Sequence, residues 1–220
     1  MGEKRDVRID VWSDVICPWC WLGRARLEKA VAAFGSERVE VVFRSFELDP
    51  KSDPDLDVST NEMLQKKFGI GPAQLEAMHD RLRKLGAADG IEYRFDKTRT
   101  SNTFAAHQLV VFAKESGKQL AMVDRLFAAN FKEGVRIGDR AALVKLAGEV
   151  GLDTSAVEAG LAEDRWAEAV RADEAEARTI GISGVPFFLF DGKVAVSGAE
   201  SAEVLGRALT KTVAPPVSRC

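Results

Sequence analysis

The chain has little cysteine, histidine or tyrosine: 3, 2 and 1 in 220 residues. Three cysteines exclude the disulfide framework that staples small secreted domains. None is required here, because 220 residues with 46% hydrophobic side chains bury a full core of one or two domains. No apolar run reaches the roughly 18 residues of a membrane span, so no membrane partner is expected. A basic excess is also missing: 31 Lys and Arg against 34 Asp and Glu leave a net charge of −3, which gives no footprint for nucleic acid. The start, Met-Gly-Glu-Lys-Arg-Asp, carries no apolar leader region, so the expected location is cytoplasmic. Internal repeats and low-complexity segments are absent from the sequence as well.

Against that background two cysteines stand close together, in Cys17-Pro18-Trp19-Cys20. Val7, Ile9 and Val11 alternate with Arg8 and Asp10, the period of a half-buried strand, and Ser13-Asp14 ends it. From Leu22 to Phe34 the pattern is helical, with Leu22, Leu27, Ala30, Val31 and Phe34 on one stripe and Gly35 as the stop. The pair therefore falls where a strand feeds a helix, with Cys17 at the cap and Pro18 at the first helical position, where a missing N–H costs nothing. Unpaired N–H groups and the macrodipole favour an anion there, and in a Cys-x-x-Cys pair the anion is a thiolate. Cys20, one turn further in, is expected to be the less exposed, resolving thiol. Trp19 and Trp21 add no charge, so stabilisation of a thiolate falls mostly to the helix end; they are expected to form the floor or lip of an apolar surface.

Downstream, 39–46 reads as a second strand, making a βαβ unit with a right-handed crossover. The polar stretch 49–57, with Pro50 and Pro54, reads as a linker. Ser59 and Glu62 form a capping box for a short helix ending at Gly69. Pro72 opens another, with Leu75, Met78, Leu82 and Leu85 as its apolar stripe. Ile91 to Phe95 looks briefly extended, and helices follow over 104–112, around Leu120 to Phe131, after the Asp139 cap, and through 153–180. The acidic run from Glu163 to Glu176 reads as a solvated face. Period two returns in 185–196, a hairpin with Asp191-Gly192 suited to a type I′ turn, and a last helix carries Val204, Leu205, Ala208 and Leu209.

This βαβ–insert–ββα order, with Cys-Pro-Trp-Cys at the first helix and Gly184-Val185-Pro186 opening the third strand, resembles the DsbA-like branch of the thioredoxin superfamily. The details are most similar to FrnE-type proteins: Ser13-Asp14 ahead of the cysteines, Asn102 with Ala106-His107, Gly184-Val185-Pro186-Phe187-Phe188, and Val196-Ser197-Gly198-Ala199. The resemblance implies an α/β thioredoxin fold with a large all-helical insertion. The expected division is 1–55 with 181–214 for the thioredoxin-like domain, 56–180 for the insert (boundaries within about ten residues), and 215–220 for a tail. It implies a cis bond at Val185-Pro186 beside the cysteines, whose backbone edge pairs with an extended substrate segment. It also implies that Cys17 forms a mixed disulfide which Cys20 resolves, with Pro18, Trp19, Val185 and Pro186 shaping the substrate site. The activity so implied is that of a thiol–disulfide oxidoreductase or isomerase acting on protein or small-molecule disulfides. Its recycling thiol system is not legible. Relative to periplasmic DsbA proteins, Trp19 replaces a histidine, which makes a milder oxidant the expectation.

Weaker candidates surround this pair. A zinc site needs two further ligands, and His79, His107 and Cys220 have no metal-like spacing, so no metal is expected. Asn102 and His107 are candidates for the rim of the site, although a lone histidine on an apolar helix is more often a packing residue; His79 reads as surface. Cys220 is an extra thiol on a proline-containing tail. Sister families of the same architecture, the hydroxychromene-carboxylate isomerases and kappa-class glutathione transferases, use glutathione and have serine where this chain has Cys17. If glutathione serves here, as redox partner or co-substrate rather than obligatory cofactor, Ser197, Gly198, Ala199, Glu200 and Ser201 are its candidate contacts. The same likeness allows a homodimer, which nothing in the spacing shows. A third reading is a non-catalytic, chaperone-like binding module with an apolar cleft.

Overall fold

A computed structural model describes residues 7–53 and 58–213. Cys220, the tail from 215 and part of the expected linker lie outside the described residues. The described elements in chain order are β1 (Val7–Ser13), α1 (Pro18–Phe34), β2 (Val39–Ser45), α2 (Thr60–Phe68), α3 (Pro72–Ala88), α4 (Phe104–Glu115), α5 (Gln119–Ala128), α6 (Arg140–Glu149), α7 (Thr154–Ala162), α8 (Ala167–Thr179), β3 (Phe187–Phe190), β4 (Val194–Ser197) and α9 (Ala202–Val213). Among the described residues the strands form one sheet in the order β2-β1-β3-β4. β1 runs parallel to β2 and antiparallel to β3, and β3 and β4 form the hairpin. The fold is a thioredoxin-like α/β architecture with a helical insertion between β2 and β3.

Strand alternation divides the side chains between two faces. Ile9, Val11, Phe188 and Phe190 join Leu22 and Leu27 of α1 and Leu205 and Leu209 of α9 in the main core. Trp12 points the other way and packs with Phe187, Leu189, Ala177 and Ile182 beneath α8. The antiparallel turn is left-handed at both central residues, Asp191 (φ 48°) and Gly192 (φ 65°), as a type I′ turn requires. At the outer edge, Gln119 accepts from the Phe43 N–H at 3.0 Å and donates to its C=O at 2.9 Å, which closes the β2 edge to further pairing.

Several sequence expectations change. Ser59 caps α2 through the Asn61 N–H, so the cap is not the expected box with Glu62. On α3 the buried stripe is Leu75, His79, Leu82 and Gly86; Met78 is exposed and Leu85 half-buried. His79 is therefore not surface: its ring stacks on Phe95 at 4.1 Å, and burial holds its pKa below the ordinary imidazole value. Residues 91–95 alternate in burial without being a strand. The acidic run is not wholly solvated either. Asp173 bridges Arg44 (2.7 Å) and the Ser45 N–H (3.0 Å), and Arg44 reaches on to Asp10 at 2.8 Å, fastening α8 to β2 and β1.

Candidate functional site: a dithiol at a helix N-terminus

Cys17 is the N-cap of α1, in extended conformation (φ −91°, ψ 114°), and Pro18 holds the first helical position. Its N–H closes a turn on Asp14 C=O at 3.0 Å, while its own C=O accepts from the N–H groups of Cys20 (3.0 Å) and Trp21 (3.4 Å). Both cysteines are free thiols. Cys17 retains 5% exposure and Cys20 1%, so the pair is more enclosed than an exposed thiol, and Cys20 is the deeper of the two. Burial pushes the Cys20 thiol well up from its ordinary value; the hydrogen-bonded Cys17 adds to this, and contacts with the Ser13 hydroxyl and the Asp14 backbone oppose it.

The Val185–Pro186 peptide is cis, and the Cys17 thiol donates to Val185 C=O at 3.8 Å. The loop is held from behind by the Gly198 N–H on Pro186 C=O at 2.8 Å. Gly23 permits this approach: a Cβ there would stand 2.9 Å from Pro186 Cγ and 3.1 Å from Phe188 Cζ. On the other flank the Tyr93 hydroxyl donates to Pro18 C=O at 2.6 Å. Tyr93 in turn lies against Gly86, where a Cβ would fall 2.5 Å from its ring.

Beneath the cysteines lies a buried polar group made by Asp14, of the Ser13-Asp14 motif, and His107, the rim candidate, which is itself buried. Asp14 is fully buried; its carboxylate accepts from Leu48 N–H at 2.8 Å and from Ile16 N–H at 3.4 Å, and faces His107 Nε2 at 3.4 Å. That last separation is an ion-pair contact rather than an aligned hydrogen bond. Burial opposes a charge on His107, yet Asp14, with Glu47 and Glu174 behind it, holds the imidazole above its ordinary pKa. Arg171 of α8 pairs with both Glu47 and Glu174. Ser13 and His107 line one small cavity, of about 10 Å³. The signal in the sequence was Ser13-Asp14, which marked the end of a strand; that its carboxylate turns inward depends on α4 arriving below it.

The remaining candidates sit as follows. Trp19 is half-buried, with the Arg81 guanidinium over its ring at 5.5 Å. Trp21 is half-buried and packs against Tyr93, Phe127 and Phe131 in an aromatic cluster. Asn102, one residue before the Thr103 N-cap of α4, accepts from the Phe104 N–H and donates to Ser52 C=O, both at 3.0 Å, which makes it a loop fastener. In 197–201, Ala199 C=O accepts from Arg26 at 2.7 Å and the Ser201 hydroxyl accepts from Val204 N–H at 3.4 Å, capping α9. Among the described residues no group of three or more His, Cys, Asp and Glu side chains is arranged to hold a metal ion, and no helix is long and apolar enough to cross a membrane.

The chain is similar in sequence and in fold to known proteins. The chain is 32% identical over 209 residues to the uncharacterized protein YwbO of Bacillus subtilis, covering 93% of this chain and 96% of that one. It superposes on the crystal structure of a probable DsbA oxidoreductase from Streptomyces coelicolor with a TM-score of 0.90 at 42% identity, over 97% of this chain and 94% of that one. A 2-hydroxychromene-2-carboxylate isomerase shares the fold, with a TM-score of 0.70 at 18% identity over 93% and 95% of the two chains. The family model for the DSBA-like thioredoxin domain matches residues 8–210, and the chain belongs to that family.

Proposed function

We propose that the protein is a thiol–disulfide oxidoreductase that exchanges disulfides with protein or small-molecule substrates through Cys17 and Cys20. The observation that carries this reading is the juxtaposition of three features at one point: Cys17 at the N-cap of α1, its sulfur 3.8 Å from Val185 C=O in the loop before β3, and Cys20 buried behind it. In the reducing direction the Cys17 thiol gives up its proton and its sulfur attacks one sulfur of the substrate disulfide. The substrate S–S bond breaks, a mixed disulfide forms on Cys17, and the leaving thiolate takes up a proton. Cys20 then loses its proton and attacks Cys17 Sγ; the Cys17–Cys20 bond forms and the second substrate thiolate departs and is protonated. Two electrons and two protons pass from the dithiol to the substrate, and the oxidising direction is the reverse. The burial of Cys20 keeps that thiol protonated until the mixed disulfide sits beside it. Val185, with its carbonyl beside the sulfur, offers backbone for an extended substrate segment.

The isomerase or transferase reading, in which glutathione is a co-substrate, uses a single group at Cys17, and the second thiol in contact with it has no part there. Glutathione enters the present proposal as a small redox partner, and the cytoplasm as the working compartment. The test is tryptophan fluorescence across a glutathione redox series, with mass spectrometry of the alkylated end points. A single two-electron transition with loss of two alkylations is expected. Its midpoint should lie between the figures for thioredoxin and DsbA, about −270 and −120 mV. A stable glutathione adduct on Cys17 alone, or no transition, overturns the proposal.

A further inference from the structure

Trp19 stands in the first turn of α1, two residues from Cys17, and the Arg81 guanidinium lies over its ring, 5.5 Å from the ring centre. Arg81 is exposed and, among the described residues, has no ion pair or hydrogen bond; the indole is its one contact of this kind. The neighbouring carboxylates of α3 are already taken, since Glu76 and Asp80 both pair with Arg83. Most other arginines near the core are neutralised, as Arg24 is by Asp124, Arg26 by Asp89 and Arg44 by Asp173. Met78, one turn before Arg81 on the same flank of the helix, is half exposed (50%) beside it.

With its guanidinium carbon 5.5 Å from the indole centre and no ion-pair partner among the described residues, Arg81 keeps N–H donors for a carboxylate, which a guanidinium binds through two parallel hydrogen bonds. Building on the redox reading above, we infer that Arg81 is a specificity-determining residue that selects disulfide partners carrying a carboxylate close to the sulfur attacked by Cys17. The carboxylate belongs either to an acidic residue near the substrate cysteine or to glutathione, and these share the same chemistry.

The experiment measures kcat/KM for reduction of three short peptide disulfides, with acidic, neutral or basic residues flanking the cysteine, and for glutathione disulfide and its carboxyl-esterified form. The wild type is compared with Arg81→Ala, Arg81→Lys and Arg81→Glu. An accessible ion pair supports a preference of about five-fold for the acidic over the basic peptide at low ionic strength, declining as salt is raised. Arg81→Ala should abolish the preference while leaving the neutral peptide within about two-fold of wild type; Arg81→Lys should keep its sign, and Arg81→Glu should reverse it. A loss confined to glutathione disulfide over its ester assigns the small molecule, and a loss confined to the peptides assigns protein substrates. Equal discrimination in wild type and Arg81→Glu overturns the assignment of Arg81 with the redox reading intact. Failure of the wild type to reduce even the neutral disulfide overturns both.

Discussion

Replacing His107 with leucine removes the imidazole that faces the buried Asp14 carboxylate at 3.4 Å. Removing one partner of a buried pair costs about 3–5 kcal/mol, because the remaining charge stays in low dielectric. Asp14 keeps the N–H groups of Leu48 (2.8 Å) and Ile16 (3.4 Å), which places His107→Leu near the lower end, at about 3 kcal/mol. Asp14→Asn retains an oxygen for one of those donors and should cost about 2 kcal/mol. The double variant leaves neither charge, so its loss should fall short of the sum by about 1–3 kcal/mol. The assay is urea unfolding followed by fluorescence, with the four proteins forming a cycle. The pH dependence adds a sign. His107 titrates higher in the fold than in the unfolded chain: burial opposes the charge, but Asp14, Glu47 and Glu174 outweigh it. Its contribution is therefore complete below the unfolded value of about 6.5 and is lost as pH rises through the raised folded value. The gap between wild type and His107→Leu should be larger at about pH 6 than at about pH 9. Strict additivity in the cycle, or a gap that does not change with pH, refutes the ion-pair argument.

Gly23→Ala gains about 1 kcal/mol of helix propensity but drives a Cβ to 2.9 Å from Pro186 Cγ; overpacking of about 1–3 kcal/mol should win and show as a lower urea midpoint together with slower exchange at Cys17. Asp173→Asn breaks the bridge among Arg44, Ser45 and α8 and should cost about 3 kcal/mol, read as a drop in Tm. Tyr93→Phe deprives Pro18 C=O of its 2.6 Å donor and should cost about 1 kcal/mol in the same unfolding assay. Because burial pushes the Cys20 thiol up, a Cys17→Ser protein at about pH 8 should alkylate at Cys20 more than about ten-fold slower than a free thiol; equal rates by mass spectrometry contradict the buried environment.

Local patterns carried most of the fold. The alternation at Val7, Ile9 and Val11, the Asp139 cap and the left-handed Asp191-Gly192 turn are each set by neighbours within a few residues. The placement of Cys17 and Pro18 at the start of α1 was legible for the same reason, since cap chemistry is local. Patterns failed where an apolar stripe had alternatives. Met78 and His79 are adjacent on α3, hydropathy favours the methionine, and the ring of Phe95 from another segment buries the histidine instead. Asp173 and Glu174 read as part of a solvated helix face; Arg44 and Ser45 of β2 draw Asp173 inward, and Glu174 shares Arg171 of its own helix with the buried Glu47.

The chain by itself determined which two sulfurs lie on one helical turn, which strands alternate and where the chain must turn, because those depend on dihedral preferences and on spacings of two to four residues. Tertiary structure alone decided what surrounds the sulfurs. Val185 reaches Cys17 across 168 positions of sequence, and His107 reaches Asp14 from α4. Arg81 comes to Trp19 from the inserted helices. Burial and charge at a thiol are sums over everything packed around it, and no local pattern contains that sum.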